Sequence, residues 1–430
     1  MTTLITINHQ SSISLSCRRF YRSARTKRFV SALPSLSGDS HHSRPIYVAA
    51  TRQHVGKTSV SLSLVSGLQK RFDKVGFIKP VGQKSLPVVE EGRIMEVDKD
   101  VVLVKEHFQL DHLQFKFMSP VLIPPGYTKD YLDGKISDDS QEALVQKAYA
   151  EIASKSDVVL CEGTGHCAVG SIVNVNNAKV ASWLGADMVL VANGGLGSAY
   201  DDLELNRILC HHHGVSIAGV IINKVQTDKY EQTKYYLGKA LAQVNIPLLG
   251  VIPDRPFLGC PAIADLEKLF GSSLICGGDH RLRHYTVKDL NLVATSLSVF
   301  LENLRGKPSR TLYVCHSSRN DILLGFLGES LRRKQLGSPF ESALVVCERH
   351  QLDPHVIDMM ELDGAPPILV VPYTTREAMA MIHSYTPKLN VDDRTRVDST
   401  VRHYEPYIDF DLLLQRTGNA SNARKENELH

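Results

Sequence analysis

The sequence predicts an α/β protein in which a parallel sheet with helices on both faces is followed by a smaller α/β domain. Short apolar runs alternate with stretches of helical periodicity between residues 46 and 260. Strands that are apolar throughout and separated by helices are typical of parallel sheets covered on both faces. A second alternating series follows residues 253–284, which are richer in proline and glycine. The chain of 430 residues is long enough for two or three domains.

The first 38 residues differ in composition from the rest of the chain. They contain six Lys and Arg residues, eight Ser residues and no Asp or Glu. Such a leader is typical of an organelle transit peptide, and a disordered basic tail is the alternative. The hydroxylated residues Thr2 and Thr3 favour targeting to a chloroplast, whereas the run RRFYRS is also compatible with targeting to a mitochondrion. We assign residues 1–44 to a transit peptide and disordered leader.

A strand, a loop and a helix follow the leader directly. The apolar run Ile46–Ala50 predicts a buried strand, and Gly56-Lys57-Thr58 opens a helix. Backbone N–H groups of such a loop and helix start can hold phosphate oxygens. Apolar residues recur in the helix at a spacing of four, which predicts one face packed on the sheet. They are Val60, Leu64, Leu68 and Phe72.

The loop matches the phosphate-binding pattern G-x-x-x-x-G-K-[ST] with one departure. Thr51 occupies the first glycine position, and counting from Ala50 instead makes the loop one residue longer. In this pattern Lys57 supplies a point charge to phosphate and the Thr58 hydroxyl binds Mg²⁺. The loop therefore predicts a nucleotide-binding sheet of the P-loop NTPase type, with Val55–Ser59 contacting the nucleotide. An exposed basic turn is the alternative.

A lysine and three acidic residues lie at further predicted strand and helix ends. Lys79 ends the second strand, where it could stabilise a phosphoryl group in transfer, although a surface lysine is the alternative. Asp98 and Asp100 stand at a predicted helix start, where one would cap the helix and Asp100 is the Mg²⁺ candidate. Glu162 ends the third strand and is a second Mg²⁺ candidate, with helix capping or a salt bridge as the alternative.

Asn223 ends the fifth predicted strand. Its amide could donate to a ring nitrogen of adenine and accept from the exocyclic amine, although an Asn-Lys pair alone is weak evidence. We place the first domain at residues 45–260. Its predicted strands are Ile46–Ala50, Val75–Lys79, Asp157–Glu162, Asp187–Ala192, Ala218–Asn223 and Leu248–Ile252.

The second domain is placed at residues 265–385, and residues 386–430 are assigned to a partly disordered C-terminal extension. The predicted elements of the second domain alternate along the chain as in the first. They are helix Val287–Leu304, strand Thr311–Cys315, helix Asp321–Arg333, strand Ala343–Cys347, helix Pro354–Met360, strand Pro367–Val371 and helix Thr375–His383.

Taken together, these segments resemble the dethiobiotin synthetase-like P-loop fold, which also forms the N-terminal domain of long bacterial phosphate acetyltransferases. The resemblance rests on VAATRQHVGKTSVSLSLVSGLQ, KVGFIKPVGQ, VVLCEGTGH, GGLGSAYDDLELNRIL, GVIINKV and PLLGVIPD. The second domain resembles the DRTGG domain that follows in those enzymes, on the basis of LYVCHSSRNDILLGFL and ILVVPYTTREAMAMIHSYTPKLNVDDRTRVD. The sequence shows no counterpart of the acetyl-transfer domain, so acetyl phosphate synthesis is not expected from this chain alone.

The resemblance implies roles for individual residues, with ATP and Mg²⁺ as ligands. Lys79 matches the lysine of the family's KPV motif, which assists carbamate and phosphate chemistry in dethiobiotin synthetase. For the DRTGG-like domain, dimerisation or regulation is implied, so we expect a homodimer. The remaining matches are to the phosphate loop, the magnesium-binding acids and the adenine-reading asparagine, and they fall on Gly56, Lys57, Thr58, Asp100, Glu162 and Asn223.

Three functions remain open at this point. The first is an ATP- and Mg²⁺-dependent enzyme, with Lys57 and Lys79 catalytic, that activates a small carboxylate or carbamate by phosphoryl transfer. The second is a nucleotide-responsive regulatory or assembly protein without small-molecule turnover, and the third is dethiobiotin synthesis. The net charge of +3 gives no argument for nucleic-acid binding. No stretch approaches the roughly 20 apolar residues that would span a membrane.

Overall fold

The computed structural model describes residues 45–306, 310–348, 353–361 and 364–419. The predicted leader, residues 1–44, lies outside these ranges, so targeting to a chloroplast stays a prediction. Residues 420–430, for which the sequence predicts disorder, also lie outside them. None of the helices in the described part of the chain combines the length and apolar character needed to cross a bilayer.

The first domain is built on a six-stranded sheet in which every neighbouring pair is parallel, as the sequence predicts. The strand order is β10-β9-β8-β1-β7-β2. Its elements are β1 (Pro45–Ala50), α1 (Lys57–Gln69), β2 (Val75–Ile78), β3 (Val81–Gly82), β4 (Ser85–Glu90), β5 (Arg93–Asp98), α2 (Lys99–Phe108), α3 (Phe115–Met118), β6 (Val121–Leu122), α4 (Tyr127–Leu132), α5 (Asp138–Ala153), β7 (Val158–His166), α6 (Asn177–Trp183), β8 (Asp187–Asn193), α7 (Gly197–His212), β9 (Ile217–Val225), α8 (Tyr230–Gln243) and β10 (Leu248–Pro253).

The central strand β1 marks the point where the order of the sheet changes direction. The chain runs from β1 outward to β2, returns through β7, and then continues on the other side of β1 through β8 to β10. In open α/β sheets, ligands bind beyond the carboxyl ends of the strands at such a switch point. The loop that follows β1 therefore lies at the expected position for a ligand site.

The second domain has a smaller sheet with the order β11-β15-β14-β13-β12, which is parallel except for the β11–β15 pair. One face packs on α10, α11 and α12, and the other on α9 and α13. The elements are α9 (Ile263–Phe270), β11 (Leu274–Cys276), β12 (Thr286–Leu292), α10 (Leu297–Gly306), β13 (Thr311–His316), α11 (Asn320–Gln335), β14 (Ala343–Cys347), α12 (Pro354–Met360), β15 (Ile368–Val371) and α13 (Thr375–Ser384).

One predicted element of the second domain is wrong in its first half. The sequence predicts a helix over Val287–Leu304, but Thr286–Leu292 is the edge strand β12 and the helix begins only at Leu297. The stretch TVKDLNL mixes charged and apolar residues, as an edge strand can. Such a stretch fits a helical period as readily as a strand period, so pairing with β13 decides its conformation.

Two C-terminal helices pack against the first domain. These are α14 (Arg394–Tyr404) and α15 (Phe410–Arg416), in a segment for which the sequence predicts no element. The Phe410 ring lies so close to Gly67 of α1 that any Cβ at that position would collide with it. The backbone N–H of Asp409 donates to the Leu249 carbonyl at 2.8 Å. The core of the first domain is therefore completed by the end of the chain.

A buried ionic network holds this C-terminal segment to the second domain. His284 Nε2 lies 2.7 Å from Asp393 Oδ2, and Arg396 Nη2 lies 2.9 Å from Asp265 Oδ2. All four side chains are at least nine-tenths buried. The pKa of Asp393 is lowered, because the His284 and Arg396 contacts outweigh the opposing effect of burial. Buried charges need such partners, so the network fixes the position of α14.

Replacing Phe410 with Ala is expected to destabilise the protein by about 3–5 kcal/mol, since a buried aromatic ring is lost and a cavity remains. Urea denaturation followed by far-UV circular dichroism would measure the change. Leu336→Ala is the matched control, because this side chain is 63% exposed and its loss should cost less than about 0.5 kcal/mol. Equal stability of the two variants would contradict the assignment of α15 to the core.

Candidate functional site

The loop between β1 and α1 presents an uncapped helix start to solvent. Gly56 has a φ of 89° and stands at the N-cap of α1, where no side chain accepts a hydrogen bond and the first turn contains no acid. A side chain at this position would collide with the Asn223 amide. The first N–H groups of a helix have no acceptor within it, so they attract anions. The predicted residues Lys57, Thr58 and Ser59 form this first turn.

Lys57 forms an ion pair with Glu162, which lies on β7 directly beside β1. The Thr58 hydroxyl donates to the same carboxylate oxygen at 3.1 Å. Burial lowers the pKa of Lys57, although the charge of Glu162 acts in the opposite direction. Glu162 is fully buried, and its second oxygen, Oε2, has no hydrogen-bond partner in the described part of the protein.

Lys79 follows β2 and lies between two carboxylates. Its Nζ is 3.0 Å from Asp98 Oδ1 and forms an ion pair with Asp100. Burial alone would lower the pKa of Lys79, but the carboxylates of Asp100, Glu162 and Asp98 outweigh it and raise this pKa. Burial opposes ionisation of Asp100, but the charges of Lys79, Lys99 and Lys57 lower its pKa.

Of the two aspartates, Asp98 is the helix cap. Its side chain accepts from the backbone N–H of Asp100 at 2.9 Å and from that of Gln83 at 3.2 Å. Asp100 forms ion pairs with Lys79 and Lys99. The charges of Asp100 and Glu162 both act on Lys57 and on Lys79, so these four side chains form one electrostatic cluster.

A hairpin that the sequence analysis missed places this aspartate pair. Strands β4 and β5 are joined by Glu91 and Gly92, both with positive φ, and this geometry matches the twist of a two-residue hairpin. Ser85 pairs with Asp98 at the open end, and Lys99 donates its N–H to the Lys84 carbonyl at 2.8 Å. The glycine in VVEEGRIMEV lies between runs rich in β-branched and apolar residues, a pattern that indicates a hairpin.

Asn223 is fully buried and supports the loop from behind. Its Nδ2 donates to the Val55 carbonyl at 2.8 Å, and its Oδ1 accepts from the Lys224 backbone N–H at 2.8 Å. Both polar groups of the amide are thus used within the protein, and adenine recognition stays a prediction. Lys224 also donates through Nζ to the His54 carbonyl at 2.7 Å, a role that sequence reasoning missed.

Tyr404 of α14 is another site residue that the sequence did not reveal. Its hydroxyl interacts with Ser59 and Asn223, and burial raises its pKa. Apolar periodicity does not reveal Tyr404, since it lies about 350 residues along the chain from the loop it contacts and in a mostly polar segment. The C-terminal helices therefore contribute directly to the site.

A cavity of about 700 Å³ extends from the loop toward the second domain. The β1–α1 loop, the hairpin ends, Thr286 of β12 and the segment from Thr386 to Tyr404 line it. Among the described residues, nine Lys and Arg side chains line it against three Asp side chains. An excess of cations in a concave site attracts anions and raises their local concentration. The cavity therefore suits a polyanionic ligand such as a nucleotide.

The oxygen donors near the loop are of the kind that Mg²⁺ prefers. They are the Thr58 hydroxyl and the carboxylates of Glu162 and Asp100, and the unpartnered Oε2 of buried Glu162 leaves a donor site open. In the described part of the chain, no three His, Cys, Asp or Glu side chains cluster closely enough to hold a metal ion alone. The residues fit a Mg²⁺ ion that keeps several waters and shares phosphate oxygens.

Comparison with known proteins agrees with this geometry. A family model described as an AAA domain (AAA_26) matches residues 44–262, and a model described as a DRTGG domain matches residues 265–385. The phosphate acetyltransferases of Nitrosomonas europaea and Pseudomonas aeruginosa are each 26% identical, over 391 and 399 residues. In both comparisons 88% of this chain is covered, but only 52% and 53% of the relative. The chain thus spans about half the length of these relatives.

Two solved structures are each similar to 50% of this chain. The MinC:MinD cell division protein complex of Aquifex aeolicus is 14% identical, with a TM-score of 0.30 and 83% of that chain covered. A plasmid partition protein from Borrelia burgdorferi is 14% identical, with a TM-score of 0.32 and 90% of that chain covered.

The parallel sheet, the uncapped glycine turn and the lysine that follows define a nucleotide-binding domain with the P-loop NTPase fold. The chain belongs to the AAA domain family (AAA_26), whose match is followed directly by a DRTGG domain. The predicted resemblance to the N-terminal part of phosphate acetyltransferases is thereby confirmed.

Proposed function

We propose that this chain binds ATP with Mg²⁺ and transfers the terminal phosphoryl group to a small carboxylate or carbamate. The observation that supports the proposal is the cluster of two buried ion pairs, Lys57 with Glu162 and Lys79 with Asp100. Each lysine forms an ion pair with a carboxylate within the protein. A phosphate chain could take over both ammonium groups, which leaves the carboxylates to Mg²⁺ and its waters.

The proposed roles of the side chains follow from their positions. Lys57 would bind the terminal phosphate from the loop side, and Thr58, Glu162 and Asp100 would hold Mg²⁺. When bound, Mg²⁺ would withdraw charge from the phosphate oxygens. Lys79 would neutralise negative charge on the phosphoryl group in transfer. A substrate oxygen forms the new bond to the terminal phosphorus while the bond to the ADP oxygen breaks, and no proton is exchanged.

A second candidate is a nucleotide-responsive regulatory or assembly protein without turnover. The observation that favours it is that both domains and the C-terminal segment border the same cavity. A nucleotide there would touch elements that belong to the DRTGG domain as well as the P-loop. In this case we expect formation of a homodimer to depend on ATP. Size-exclusion chromatography with light scattering would detect the change in oligomeric size.

The two candidates differ in whether ADP forms. Purified protein would be incubated with MgATP and a panel of mono- and dicarboxylates, with and without bicarbonate and diamines, and ADP release would be followed by a coupled assay. Stimulation by one acid, with an acyl phosphate trapped by hydroxylamine, would support the enzyme. Tight ATP binding with no stimulation by any acid, together with a change in oligomeric size, would support the regulator instead. The bicarbonate and diamine arms test dethiobiotin-type chemistry.

A further inference from the structure

A second group of lysines lies along the cavity, apart from the phosphate loop. Lys84 precedes β4, Lys99 begins α2, and Lys388 belongs to the segment that connects α13 to α14. All three line the cavity. Lys99 forms an ion pair with Asp100, but neither Lys84 nor Lys388 forms an ion pair with any acidic side chain among the described residues.

Lys84 and Lys388 line the same cavity, and the Lys99 N–H donates to the Lys84 carbonyl at 2.8 Å. The pKa of Lys388 is lowered to about 8, because the adjacent Lys84 side chain, partial burial and the charge of Lys99 all oppose its protonation. Asp100 acts in the opposite direction but does not compensate. Like charges held together in a cavity are unfavourable until an anion lies between them. The chain thus brings together two lysines that form no ion pair with an acidic side chain in the described part of the protein.

These lysines and the phosphate loop have different charged neighbours. The charges that act most on Lys57 come from Glu162, Lys79 and Asp100. Those that act most on Lys388 come from Lys84, Lys99 and Asp100. Asp100 is the neighbour that both groups share. The phosphates of a nucleotide on the loop would therefore lie against Lys57, and Lys84, Lys99 and Lys388 would be left for another anion.

We propose that Lys84, Lys388 and Lys99 form an anion subsite that holds the distal carboxylate or phosphate of a small dianionic substrate. The acid to be phosphorylated, at the other end of this molecule, then lies next to Lys79. This inference rests on the proposed phosphoryl transfer and narrows its substrate class from any small acid to a dianion. Because Lys388 belongs to the C-terminal segment, the subsite also requires that segment to be in place.

Binding measurements test the subsite without relying on turnover. Isothermal titration calorimetry would compare succinate, phosphonoacetate and acetate, each with the protein saturated with a non-hydrolysable ATP analogue and Mg²⁺. We expect at least one dianion to bind about tenfold or more tightly than acetate. Preference for succinate identifies a distal carboxylate, and preference for phosphonoacetate identifies a distal phosphate. Equal affinity for all three acids would overturn the subsite.

The variant Lys84→Met/Lys388→Met should lose this preference, and Lys84→Arg/Lys388→Arg should retain it. The matched control is Lys135→Met/Lys155→Met, which removes the same charge from two exposed positions outside the cavity. Thermal denaturation checks that each variant is folded. Retention of the dianion preference in the double methionine variant would overturn the subsite. Loss of the preference supports it, even if no acid releases ADP, and that absence of turnover would then count only against the proposed phosphoryl transfer.

Discussion

Replacing Lys57 with Met is expected to weaken MgATP binding by about 100-fold, equivalent to about 2.7 kcal/mol. The ammonium group is the point charge of the phosphate loop, and its side chain is only 10% exposed, so water does not replace it easily. The same change leaves the Glu162 carboxylate buried without its cation. Breaking a buried pair in this way costs about 3–5 kcal/mol of stability, so binding and folding must be measured separately.

A second substitution separates the two effects. In Lys57→Met/Glu162→Gln the uncompensated charge is removed, so urea denaturation should show stability largely restored. Titration with ATP in the absence of Mg²⁺, which Glu162 is proposed to hold, should still show weak binding because the Lys57 charge is lost. Lys70→Met is the matched control, because Lys70 lies just beyond the opposite end of α1 and its side chain is 58% exposed. Nucleotide affinity in the Lys57 variants equal to that of the Lys70 variant would refute the assigned phosphate loop.

Replacing Lys79 with Met should reduce kcat for phosphoryl transfer by about 100- to 1,000-fold, with a small effect on the KM for ATP. In the proposed mechanism Lys79 faces the transferring phosphoryl group from the hairpin side, and removing charge stabilisation in a transition state lowers kcat. The raised pKa of Lys79 keeps it protonated at neutral pH. Its loss should therefore be equally severe throughout the neutral range.

Steady-state kinetics with the best acid from the substrate panel would give kcat and KM separately. Lys116→Met, at an exposed position on α3, serves as the control and should retain the activity of the unmodified chain. A Lys79 variant whose KM for ATP rises while kcat stays constant would place this lysine in nucleotide binding rather than in catalysis. Lys79→Met/Asp100→Asn would show how much of the loss comes from the carboxylate left behind.

The central sheet was predictable because its strands are buried on both faces, and such strands read as continuous apolar runs. The β4–β5 hairpin was not predictable in this way, although it is the element that positions Asp98. Its Val89 and Ile94 are 71% and 78% exposed, so apolar residues there do not report a buried face. The prediction of edge strand β12 was wrong for a related reason. This strand pairs only with β13 among the described strands, and its mixed sequence fits the helical and the strand period equally well.

The site was predictable where a motif fixes the spacing and unpredictable where contacts come from distant parts of the chain. Gly56, Lys57 and Thr58 follow from a local pattern. Helix α14 escaped notice because its buried positions include Arg396 and Thr400, and a buried arginine reads in sequence as a surface residue. The carboxylates of Asp265 and Asp393 and the Cys260 carbonyl make that burial tolerable, and Asp265 and Cys260 lie outside α14.

The return of α14 and α15 to the first domain has a consequence for how the chain folds as it is synthesised. Helix α1 is synthesised early, yet the residues of α14 and α15 that pack against the first domain are the last described ones to leave the ribosome. Until then Gly67 and its neighbours lack their cover, and the nascent P-loop domain exposes apolar surface that invites aggregation. Contacts between such distant segments also slow folding. A chain that stops after Ser384 would leave this apolar surface of the first domain permanently uncovered.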